Sequence, residues 1–409
     1  MKNSYYKLTT GFIFLFLLIS TAETNAQQNV WTQKQNVNGV ERWGAFGFSI
    51  GNYGYIGGGY DGSNNLDDFW QYDPSNNTWI QKANVPVALR GASTFVINGK
   101  GYLTGGIITG PPYNANLYMY DPATDGWINK APYPGFPVYG AQAFAIGTKG
   151  YFGVGNGGTS TGDFFREFYE YNSNTDAWTQ RDSFPGTERF GTFGIALNGK
   201  GYVGFGANGA TLEFFNDWWE YNPANDAWTA KTNFPGTTRD YVAGFTLYNQ
   251  VFLGTGHENT GTFETNDFYS YDPSTDSWII RANYGGGNRW LVVGFSIGNK
   301  GYFGTGMNNT TSTNYNDFWE YAPTIPEGIA ENDSYENGIN IYPNPCTTCE
   351  ITGVSNASDL SVTDILGRKQ NATFSKSAYG YYINLPVTSS GIFLIKNNKT
   401  GEVVKLVKN

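Results

Sequence analysis

Histidine, cysteine and charge are all scarce in this sequence. Its 409 residues include one histidine, His257, two cysteines, Cys346 and Cys349, and only 34 acidic and 25 basic side chains. So few ligands exclude the familiar Cys/His zinc cages, and every histidine-based triad except one built on His257. No metal or cofactor is implied. A net charge of −9 excludes general nucleic-acid binding, because a phosphate backbone is gripped by clustered Lys and Arg. Long apolar runs are missing too. The longest, Gly11 to Ile19, has about nine residues, well short of the roughly 20 that a membrane-spanning helix needs, so no transmembrane segment is expected in the mature chain.

Aromatics and glycine are abundant instead: 12 Trp, 30 Tyr, 29 Phe and 54 Gly. The aromatics supply a large core, and the glycines disfavour long helices while suiting short strands joined by tight turns. An all-β chain is expected.

The two ends differ from the middle. Residues 1–26 carry Lys2 and Lys7, then the apolar run, then Thr24-Asn25-Ala26 with small residues at −3 and −1, the pattern of a cleaved secretory signal. Residues 324–338 hold four acidic residues and no base, and are read as a linker. Residues 339–409 turn slightly basic and contain short alternating runs such as Leu360 to Ile365 and Gly391 to Lys396, which predict a small antiparallel β-sandwich. Ile341-Tyr-Pro-Asn-Pro345, Val362 to Arg368, Gly391 to Lys396 and the closing Val403 to Lys408 resemble the C-terminal sorting domain of the type IX (Por) secretion system. That resemblance implies partnership with the secretion machinery and a destination outside the cell, secreted or at the outer surface. The Cys346-Thr-Thr-Cys349 pair departs from it; a local disulfide closing a turn is the expected use, since no thioredoxin-like context surrounds it.

Between residues 27 and 323 the chain repeats. A Tyr is followed seven residues later by a Trp at Tyr72/Trp79, Tyr120/Trp127, Tyr171/Trp178, Tyr221/Trp228 and Tyr271/Trp278, with successive Tyr spaced 48, 51, 50, 50 and 50 residues through Tyr321. Each unit also has a glycine-ended strand, from Tyr55-Ile-Gly-Gly-Gly59 to Tyr302-Phe-Gly-Thr-Gly306. This grammar resembles the kelch repeat, which implies a six-bladed β-propeller of four-stranded blades. Only Gly58-Gly59 and Gly105-Gly106 keep the glycine doublet. The sixth unit lacks its Trp, and Trp31 is expected to supply it by bringing an N-terminal strand round to close the ring. Three G-x-G-x-x-G matches, at Gly57, Gly153 and Gly204, start no helix and are by-products of the repeat.

Strand alternation puts the long, variable segments on one face, which is where a ligand is expected. Eleven residues after each blade-closing Trp stand Arg42, Arg90, Val138, Arg189, Arg239 and Arg289. Four residues before each anchor Tyr stand Asp68, Asn116, Glu167, Asp217, Asp267 and Asp317. Two readings are open: structural Arg–carboxylate bonds, or arginines facing the mouth to bind an anionic or polyhydroxylated ligand. On the second, Arg42, Arg90, Arg189, Arg239, Arg289 and His257 are the ligand-binding candidates. No catalytic residue is selected. The leading reading is a binding protein recognising a glycan or a protein through the long-loop face, with a structural adhesion element as a further possibility. The alternative is an enzyme resembling the sialic-acid mutarotases, also six-bladed kelch rings, with Glu167 or Glu188 beside Arg189 as acid and base. Galactose oxidase resembles the ring in fold, but its copper site uses two histidines.

Overall fold

The computed structural model describes residues 30–109, 113–157, 163–259, 263–323, 340–342, 349–352, 354, 356–364, 368–376, 381–385, 391–399 and 403–408. The expected signal segment and linker lie outside these residues. The chain divides into two compact units, Met1–Thr324 and Ile325–Asn409.

The first unit is a six-bladed propeller. Blade 1 runs outward from the axis as Phe46–Ile50, Tyr53–Gly57, Phe69–Asp73 and Thr78–Lys82, all antiparallel. Four further blades repeat this order. The sixth takes Val293–Ile297, Lys300–Gly304 and Phe318–Ala322 from the end of the unit and Val30–Lys34 from its beginning, with Trp31 opposite Tyr321. The N-terminal strand therefore completes the sixth blade and closes the ring.

The Tyr and Trp spacing has a direct physical cause. Each blade-closing Trp donates its indole N–H to a backbone carbonyl just past the last strand of the preceding blade: Trp79 to Gln35, Trp127 to Ala83, Trp178 to Ala131, Trp228 to Asp182, Trp278 to Thr232 and Trp31 to Ala282, at 2.8–3.2 Å. Five residues after each of Tyr72, Tyr120, Tyr171, Tyr221 and Tyr271, an Asn or Asp with left-handed φ turns its side chain back. Asp125 Oδ1 accepts from the Tyr120 hydroxyl at 2.8 Å and from the Ala83 N–H of the preceding blade at 3.0 Å. Asp176, Asp226 and Asp276 repeat this bridge, and Asn77 makes it with a neutral amide.

Burial works against the charges of Asp125, Asp176 and Asp276, but the backbone N–H and tyrosine donors outweigh it and hold all three carboxyls below their ordinary value of 3.8. A depressed folded pKa stabilises above the unfolded value and is lost as pH falls through the folded one. Stability should therefore decline below about pH 4. Asp125→Asn/Asp176→Asn/Asp276→Asn, which copies Asn77, is expected to lose less melting temperature than the parent between pH 6 and pH 3. Parallel melting curves for the two proteins across that range would contradict it.

Blades pack through a knob and a gap. Phe48, Phe95, Phe144, Phe245 and Phe295 on the inner strands lie against Gly101, Gly150, Gly201, Gly301 and Gly54 of the next blade, where any Cβ would fall inside the ring. At the remaining interface Ile195 takes the place of Phe and Val251 the place of Gly, and the two pack together. The smaller knob permits the larger base. Gly301→Val alone should therefore destabilise by about 2–3 kcal/mol, since overpacking a filled core forces shifts. Adding Phe245→Ile should recover a large part, giving a coupling of roughly 1 kcal/mol or more in a denaturation cycle; strict additivity would refute the pairing.

The second unit has two antiparallel sheets. One orders Asn340–Tyr342, Cys349–Thr352, Tyr381–Asn384 and Thr373–Lys376, and the other Leu360–Asp364, Gly391–Asn397 and Val403–Lys408. Ile351 and Ile383 from the first share a core with Val362, Phe393, Ile395 and Leu406 from the second. Cys346 lies outside the described residues, and of Cys349 only the backbone is described, so the expected disulfide does too.

Candidate functional site at the propeller mouth

Four of the five candidate arginines turn away from any ligand. Arg42, Arg189, Arg239 and Arg289 are at most 1% exposed, and each forks onto the carboxylate at the start of its own blade's third strand. Their Nη2 atoms lie 2.7, 3.1, 2.9 and 3.2 Å from Asp68, Asp217, Asp267 and Asp317. Nη1 of each also donates to the carbonyl after the second strand, Gly58, Phe205, Thr255 or Thr305. One guanidinium thus ties three strands of one blade together, while its backbone bonds to the blade before, as in Gly306 N–H to Arg42 O at 3.0 Å. Their placement in the ligand set is corrected accordingly. Glu188 is exposed and sits 3.8 Å from Arg166, not beside Arg189, so it forms no acid–base pair there.

Arg90 behaves differently because the connection before blade 2 is one residue shorter. Leu89, not Arg90, makes the backbone bonds that the other arginines make, with Gly59 N–H donating to Leu89 O at 2.8 Å. The same count therefore places Arg90 one step further along, in the ring that faces the axis. That ring is Trp43, Arg90, Tyr139, Phe190, Asp240 and Trp290, and each member pairs across a short bridge with the first residue of a long loop or, at blade 1, with Tyr60. Together with Tyr241, Leu212, Phe214 and His257 the ring lines a cavity of about 360 Å³. That volume is at the low end for small-molecule sites, roughly 300–1,000 Å³.

Asp240 and His257 are cross-strand partners in blade 5. Asp240 is 3% exposed, its Oδ1 lies 3.4 Å from His257 Nδ1, and neither atom has a well-aligned hydrogen bond among the described residues. Burial, only partly relieved by the imidazole, pushes the Asp240 carboxyl up to about 6. Burial opposes a charge on His257 as well, but Asp240, with Glu264 and Glu258 beyond it, outweighs this and leaves the imidazole above its usual range. Both groups of the pair are thereby shifted toward their protonated forms. Around it stand Trp290 at 4.9 Å and Phe214 at 5.4 Å from the imidazole. Arg90 is stacked 4.3 Å over Tyr60 and 5.2 Å from Trp43, and donates to Asn65 at 2.8 Å, while its buried Nε has no hydrogen-bond partner among the described residues. Among the described residues no three His, Cys, Asp or Glu side chains form a metal cage, and no helix is long and apolar enough to cross a membrane.

Of the expected ligand residues, then, the structure brings Arg90 and His257 to the mouth. Asp240 was not singled out, although counting twelve rather than eleven residues from Trp228 finds it. The kelch motif model matches residues 49–86, the outer part of blade 1. No curated protein matches the sequence. A solved structure described as "Structure of YjhT" superposes with a TM-score of 0.62 at 14% identity, over 72% of this chain and 98% of that one. These likenesses and the six closed sheets agree on one conclusion: the first unit has a kelch-type six-bladed β-propeller fold, followed by a separate small β-sheet domain.

Proposed function

We propose that the mouth binds a single sugar ring and that the Asp240–His257 pair interconverts its anomers. The observation that carries this is a buried carboxyl 3.4 Å from a half-buried imidazole at the edge of an aromatic-walled cavity. Aromatic faces suit the apolar face of a pyranose, and Arg90 supplies hydrogen-bond donors for its oxygens. Anomer exchange needs a base at the anomeric hydroxyl and an acid at the ring oxygen, two atoms on the same carbon. A contact pair serves both. Asp240 takes the hydroxyl proton, protonated His257 gives one to the ring oxygen, the bond from that oxygen to the anomeric carbon breaks, and the open-chain carbonyl closes again on its other face with the protons returned. Of the three functions open from sequence, binding alone, a mutarotase-like isomerase or a structural adhesion element, this pair favours the isomerase.

The resemblance of the C-terminal residues to a type IX sorting domain supports export of the propeller to the exterior. Within it Arg368 donates from Nε to Asp364 at 2.7 Å and from its backbone N–H at 2.9 Å.

The test is anomer equilibration of freshly dissolved glucose, galactose, N-acetylglucosamine and N-acetylneuraminic acid, followed by polarimetry or NMR with the chain from residue 27. Faster equilibration of at least one sugar than in buffer is expected; buffer rates for all four would refute the isomerase reading.

A further inference from the structure

One residue inward of the mouth ring lies a layer made of Gly44, Gly91, Gly140, Gly191, Tyr241 and Leu291. Their backbones step round the axis, and four of the six N–H groups donate to the carbonyl of the blade before: Gly91 to Gly44 at 2.8 Å, Gly140 to Gly91 at 3.4 Å, Gly191 to Gly140 at 2.7 Å and Tyr241 to Gly191 at 2.8 Å. This step demands left-handed backbone, and all six residues have φ between 50° and 65°. Glycine adopts that conformation freely, whereas tyrosine and leucine are strained in it.

The layer is also a boundary between cavities. Above it lies the mouth, and below it a second cavity of about 380 Å³ begins at the next residues, Ala45, Ala92, Ala141, Thr192, Val242 and Val292, and follows the inner strands. Six glycines would join the two into one axial tunnel. Tyr241 and Leu291 are the only members of the layer with side chains beyond a hydrogen. The Tyr241 ring lies over Gly191 and its hydroxyl reaches Gly140, so near that a Cβ at those glycines would sit 3.1 and 2.9 Å away. Its edge packs against Trp290, with centroids 5.4 Å apart.

We infer that Tyr241 and Leu291 are specificity-determining residues that partition the axial tunnel, making the mouth a blind pocket that takes one sugar ring and excludes a threaded chain. Two side chains kept where the backbone favours glycine mark positions held for the site at the expense of the fold. For the identity of the ligand alone, this rests on the carbohydrate reading.

The experiment compares Tyr241→Gly/Leu291→Gly with Tyr241→Ala/Leu291→Ala in the chain from residue 27. Both remove the two side chains, but only the alanine pair keeps the backbone strain. The glycine pair is expected to melt about 3 °C above the alanine pair. Its crystal structure should show one continuous tunnel, and both pairs should bind the best of the four sugars at least tenfold more weakly than the parent. Equal melting temperatures, a floor that persists in the glycine pair, or unchanged sugar affinity would each overturn the partition. A parent that binds none of the four sugars would sink the carbohydrate reading, while the melting and the tunnel would still decide the partition.

Discussion

Arg189→Ala combined with Arg239→Ala is expected to unfold the propeller at ordinary temperatures rather than to silence a ligand site. Each guanidinium is 1% exposed and satisfies a carboxylate, a carbonyl past the second strand and a carbonyl two residues upstream. Arg189 also packs 3.6 Å over the Phe215 ring. Truncation strands Asp217 and Asp267 and leaves those carbonyls without donors; breaking a buried charge pair costs about 3–5 kcal/mol each, and Asp217 and Asp267, being partly exposed, put the cost near the lower figure. Two such losses, about 6 kcal/mol together, rival the whole stability of an ordinary domain. Thermal denaturation of the single and double variants checks this. Arg90→Ala is the contrast: Arg90 forms no ion pair with a carboxylate among the described residues, and the melting temperature of the variant should stay close to the parent's. Equal losses for Arg90→Ala and Arg189→Ala would mean that the two sets do not differ in kind.

Asp240→Asn should have the opposite signature. It preserves shape, removes a buried carboxylate that neither the fold nor a neighbouring blade needs, and leaves stability equal or higher. Anomer exchange, by contrast, should fall by roughly 10²–10⁴-fold, the usual contribution of a positioned base. The pH dependence of the parent follows from the same pair. Activity requires Asp240 ionised, so it should rise through about pH 6, and it requires His257 protonated, so it should fall again above the ordinary histidine range. The sign for stability is separate: a raised carboxyl pKa makes the folded state progressively less favoured as pH climbs past the unfolded value, and Asp240→Asn should remove that slope. A variant with parental exchange rates would remove Asp240 from the chemistry.

The architecture was legible because its determinants are local and repeated. Tyr120, Asp125 and Trp127 sit at fixed offsets since the turn carboxylate, held by the Tyr120 hydroxyl, and the indole must both reach Ala83 at the end of one neighbouring strand. Trp31 could be assigned to the sixth blade on the same ground. The arginine ring was legible as a pattern, and the structural one of its two readings describes Arg42, Arg189, Arg239 and Arg289. The site itself was much less so. Arg90 was placed at the ligand by a count that a shortened connection had shifted, and Asp240 resembled any acid beside an arginine. Its burial and its contact with His257 arise only when a long loop folds back across blade 5. Tyr241 and Leu291 carried no signal of their own, because their significance lies in four glycines that occupy the same layer in other blades.

Whether the mouth is the ligand site is tested most directly by saturation-transfer NMR with glucose, galactose, N-acetylglucosamine and N-acetylneuraminic acid, using the parent chain and a folded Trp43→Ala variant. Expected is transfer to the ring protons of at least one sugar, strongest on the face that stacks on the aromatic wall, and its loss in the variant. Transfer that survives Trp43→Ala unchanged, or none to any of the four from a folded parent, would contradict a sugar site in the propeller mouth.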